Sequence, residues 1–243
     1  MINALCTRSS KETTVREKIK TRMKTLAQLT PKLFLAAALL AAGLPSASAR
    51  DAAKANEVLL KATSPYEDMV EFALAKNADR VAKSLAQADS QAAAVKESLR
   101  PGAVAEFERR VQELHQAVAD REHYAVAVGG VEIFRLLIDN LDADKLKVPK
   151  EVSLLDYAGF KLHVLDAAPR RDWDAMRKTV ADSVAWWDAT KAKVKDRSLR
   201  SACHSAIRGL QEAGKSENRA LLHFAAQMEL DLVDLLENHF EGK

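Results

Sequence analysis

Glu132, His163, Cys203 and His204 are the residues whose type and setting could do chemistry. Glu132 stands between Val131 and Ile133 in the apolar run YAVAVGGVEIFRLLI, residues 124–138. A carboxylate buried in such a run needs a partner or keeps its proton. Arg135 lies one helical turn on and is spaced to pair with it. Without that pair, Glu132 is a metal or proton-handling carboxylate. Cys203 and His204 are adjacent soft ligands, and His163 sits in the apolar segment LHVL. Imidazole and thiolate suit copper or zinc, so a transition metal held between helices is the chemistry these four residues allow. The plainer reading gives a satisfied ion pair, a packed thiol and two structural or solvated imidazoles, since free cysteine is commonly buried.

The remaining motifs narrow the field. Residues 200–204 read RSACH, with Arg200 where a CxxCH haem-attachment motif needs its first cysteine, so covalent c-type haem is not supported. Gly-rich phosphate loops, GxSxG, HExxH, CxxC and paired Glu-x-x-His motifs do not occur. His115 and His123 lie eight apart, about 12 Å along a helix, too far to share one ion. Glu229, Asp231, Asp234 and Glu237 interleave with leucines and read most simply as the wet face of a helix, with Asp231 and Asp234 as a pair that could reach a cation together. Trp186 and Trp187 point about 100° apart on one helix, one toward the core and one toward a groove or partner. No nucleophile–base constellation supports an enzyme.

Residues 1–49 read as an N-terminal extension and a secretory signal peptide. Lys32 precedes the apolar stretch LFLAAALLAAGL, and Ala47 and Ala49 place cleavage after Ala49. Met23-Lys24 would begin a leader of ordinary length by itself. Taking the leader's eight Lys/Arg and two acids from 37 and 34 leaves 29 and 32, a formal charge of −3. That balance, without a basic stripe, excludes nucleic acid as the expected partner. Cys6 leaves with the leader, so Cys203 has no internal disulfide partner. A soluble periplasmic or secreted protein is the expectation.

The elements that must position the four residues are helices. The run at 124–138 is shorter than the 20 or so residues of a membrane span and is broken by Glu132 and Arg135, so no span is expected in the mature chain. Residues 50–243 form one expected domain. Few glycines and prolines remain there, and apolar residues recur at steps of three and four. Ser64-Pro65 with Glu67 spells an N-cap and capping box. Helices are expected at about 64–99, 103–140, 153–194 with a break at Pro169, and 196–240 with a kink near Gly214. The predicted class is all-α: an up-down four-helix bundle with long, partly kinked helices. The functional expectation is a non-enzymatic binding protein holding a metal ion or planar cofactor in the bundle core. The alternative is an adaptor that grips another periplasmic protein through a surface groove.

Overall fold

A computed structural model describes residues 52–242, and the leader and cleavage site expected from the sequence lie outside the described residues. The structure is all-helical, with no strand among the described residues. The helices are α1 (Ala52–Lys61), α2 (Ser64–Leu74), α3 (Ala78–Ser98), α4 (Pro101–Ala119), α5 (His123–Asp139), α6 (Lys150–Ala167), α7 (Trp173–Thr190), α8 (Arg197–Ser216) and α9 (Arg219–Glu241). Short 3-10 turns occupy Ala143–Lys145 and Lys191–Lys193. No described helix is long and apolar enough to cross a membrane.

Each of the four long elements expected from sequence turns back once. Two reversals sit where the sequence marks them. Pro169 ends α6, and Asp172 caps α7 by accepting the Ala175 N–H at 2.9 Å. The Gly214 region ends α8, and Asn218 accepts the Leu221 N–H to start α9. The other two, at residues 75–77 and 120–122, carry no glycine or proline. Lys76, Arg121 and, in the α8–α9 turn, Glu217 take positive φ (55°, 57° and 50°), a strained choice for residues with a Cβ. Two helix starts also differ from expectation. Thr63 rather than Ser64 occupies the N-cap of α2, and its hydroxyl donates back to the Leu60 carbonyl. Pro149 precedes α6, which leaves Ser153 buried inside that helix.

Two apolar cores result rather than the single interior expected. In one, α2 packs on α3 and α5, and α4 packs on α5. In the other, α6 packs on α7 and α9, and α8 packs on both of those. Helix α6 serves both. Leu154, Phe160 and Val164 belong to the first core, and Val152, Leu155 and Leu162 to the second. This double duty explains why α6 is apolar around most of its girth.

Glycine sets two close approaches. A Cβ on Gly130 would stand 3.0 Å from the Tyr66 carbonyl oxygen, so the glycine lets α5 lie against the backbone of α2 without a kink. On α6, a Cβ at Gly159 would meet Leu230 at 2.5 Å, which fixes the spacing of the antiparallel α6–α9 seam. That seam runs from the Asp166–Arg219 ion pair at one end to Lys147 and Glu241 at the other.

Candidate functional site

The structure separates the four sequence candidates. Glu132 is half-buried on α5, but its partner is not Arg135. Lys161 of α6 donates to its Oε1 at 2.5 Å and Arg110 of α4 to its Oε2 at 3.2 Å. Burial pushes this carboxyl up, and the two cations overcome that and hold it below the usual value. Glu132 therefore ties three helices together as an ionised, paired group. Arg135 instead bonds Asp139 at 2.9 Å and lies 5.0 and 5.3 Å from the Tyr157 and Trp186 rings.

Cys203 is buried in the second core, where burial pushes its thiol up to about 12 and leaves it protonated. His204, the next residue, is exposed and faces away. His163 is half-buried on α6 against His223 of α9. Burial, then the neighbouring His223, lowers its pKa, so it is neutral near pH 7. Among the described residues no three His, Cys, Asp or Glu side chains gather into a metal-holding group. Trp187 is core, as one of the two indoles was expected to be, while Trp186 stacks edge-on to Tyr157 at 6.3 Å.

What the structure does bring together is a set of acids that the sequence reading did not join into one site. Glu67 of α2, Asp156 of α6, and Asp234, Glu237 and Glu241 of α9 line a pocket of about 330 Å³. Its remaining wall is Leu60, Thr63, Phe134, Ser153 and the loop residues Leu146, Lys147 and Val148. Helix α6 brings Asp156 because its register places residue 156 on the α9 seam, three residues before Gly159. The loop is held by Asn56 of α1, which is 3% exposed and exchanges two 2.8 Å hydrogen bonds with the backbone of Asp142. Lys147 is tied down too, donating to the Glu241 carbonyl at 2.6 Å.

The electrostatics of the pocket are those of crowded carboxyls. Burial pushes Glu67 up to about 7, with Glu237, Asp68 and Asp234 adding to the rise and the Thr63 hydroxyl opposing it. Asp156 is pushed well above the carboxylate range by burial, then by Glu67, Glu237, Asp234 and Glu229. Such a pair keeps protons near neutral pH unless another positive charge replaces them.

One further acid departs from the sequence reading. Glu229 is not on the wet face of α9 but 4% exposed in the second core. Its carboxyl oxygens, Trp187 Nε1, Ser183 Oγ and Thr190 Oγ1 are all buried without hydrogen-bond partners. A void of about 10 Å³ touches Trp187, Cys203 and Glu229, close to the smallest space that admits one water.

Comparison of the chain with protein-family models, curated proteins and solved structures found no match.

Proposed function

We propose that this chain is an exported, non-enzymatic binding protein that takes a small organic cation in the acidic pocket between α2, α6 and α9. One observation carries the reading: Glu67, Asp156, Asp234, Glu237 and Glu241 line a single pocket, where burial and mutual repulsion push Glu67 and Asp156 up and a bound cation would offset that repulsion. The size also favours an organic ligand over a bare ion. About 330 Å³ falls at the lower end of small-molecule sites, and Leu60, Phe134, Leu146 and Val148 offer an apolar flank. An ammonium or guanidinium group on a short carbon chain meets both demands. Export through the leader, a periplasmic location and an up-down arrangement of each four-helix group, α2–α5 and α6–α9, complete the proposal.

Calorimetric titration with 1,4-diaminobutane and with agmatine tests it. Saturable binding that Asp156→Asn weakens at least about tenfold supports the reading. Absence of saturable heat from both amines, or an unaffected Asp156→Asn variant, refutes it.

A second reading, an adaptor for another protein, rests on Phe224 and Leu235. These are 62% and 52% exposed on α9, three turns apart. It replaces the tryptophan groove expected from sequence, since Trp187 is buried and Trp186 is half-buried in a stack.

A further inference from the structure

The α6–α9 seam carries another polar feature, away from the acidic pocket. Between the Asp166–Arg219 ion pair and the Gly159–Leu230 contact, His163 meets His223. Their ring centres are 4.8 Å apart and their planes cross at 82°. The Nε2 atom of His163 is buried and has no hydrogen-bond partner. His223 is exposed on α9, so the pair opens to solvent on one side.

Two imidazoles bound to one zinc ion have N–Zn bonds of about 2.0–2.1 Å. At angles between square-planar and tetrahedral, those bonds set the ring centres about 5 Å apart. The observed spacing matches. Edge-to-face packing of two rings has similar spacing, but it leaves a buried nitrogen unsatisfied, which costs its full desolvation. A metal ion would take that nitrogen's lone pair. Asp166, one turn along α6, acts electrostatically on His163 and is itself held by Arg219 at 2.7 Å.

We infer that His163 and His223 form a two-imidazole site for a borderline divalent transition-metal ion, with water completing its coordination. No third protein ligand joins them among the described residues, so the ion is held at an open, solvent-exchanging site. This keeps His163 of the four sequence candidates and replaces the other three with His223.

The test is titration of the metal-free full chain with ZnCl2 in a non-coordinating buffer, by calorimetry and by NMR of the histidine rings. The expected result is one saturable equivalent that perturbs the His163 and His223 ring signals. His223→Gln, at an exposed position that leaves the packing intact, weakens binding at least about tenfold. His204→Gln and Asp156→Asn leave it unchanged. The inference is overturned by no saturable binding, by His223→Gln binding zinc as the wild type does, or by loss of binding in Asp156→Asn alone, which would place the ion in the acidic pocket.

Discussion

Among single residues, Glu229 shows how far burial outweighs composition. Its neighbours along α9 include acids that do face water, and only the second core reveals that position 229 points inward. Burial moves its carboxyl from the ordinary 4.5 to about 8. A raised acid favours the folded state in its protonated form. That stability is complete below the ordinary value and is lost as pH rises from 4.5 toward 8. Asp156 of α6 and the Cys203 thiol of α8 are the titratable groups that couple to it. Urea unfolding at pH 5 and pH 9 should therefore show the wild type losing on the order of a few kcal/mol. Glu229→Gln should lose clearly less, with the residual slope belonging to Glu67 and Asp156. Equal losses in the two proteins would mean that Glu229 is solvated. Glu132 is the opposite case. It was legible as an out-of-place acid, yet its partners Arg110 and Lys161 lie 22 and 29 residues away, beyond what spacing along one helix reports.

Helices were the most legible level. The α5 core, the Pro169 break with its Asp172 cap, and the Asp196 cap of α8 follow from residue types whose local physics is strong. The reversals at 75–77 and 120–122 did not, because Lys76 and Arg121 give no local sign of left-handed backbone. Tertiary packing of α2 on α3 and of α4 on α5 selects those turns. The strain is testable. Arg121→Gly removes the Cβ clash at φ 57° and should stabilise the fold by about 0.5–1 kcal/mol, read as a higher urea midpoint. An unchanged or lower midpoint would show the turn to be relaxed with arginine. Gly130→Ala should act in the other direction. Its Cβ would press on the Tyr66 carbonyl at 3.0 Å and Val70 at 3.1 Å. A cost of about 1–3 kcal/mol from overpacking exceeds the roughly 1 kcal/mol helix-propensity gain of alanine. A stabilised Gly130→Ala would show that α2 and α5 can separate cheaply.

For the molecule as a whole, the pocket was the least legible part. Its acids come from three helices, with Glu67, Asp156 and Asp234 spaced 89 and 78 residues apart in the chain, and each has an innocent local reading. Glu67 looks like a capping-box residue, Asp234 and Glu237 like a wet face. Asp234 was read as a possible cation contact, but with Asp231, which does not line the pocket. Asp156 stands among apolar residues in SLLDYAGF, the same signal that marked Glu132, and could have pointed to the site. If protons on these carboxyls compete with a cation, amine affinity should climb between pH 5 and pH 8 as Glu67, near 7, ionises. The most direct measurement is a 13C-carboxyl NMR titration of Glu67 and Asp156, with and without 1,4-diaminobutane. The expected result is two carboxyls titrating far above 4 in the free protein, Glu67 near 7, and both moving down when the diamine is present. Two carboxyls that titrate near 4 in the free protein, or that keep their midpoints at saturating diamine, would contradict a cation pocket at this place.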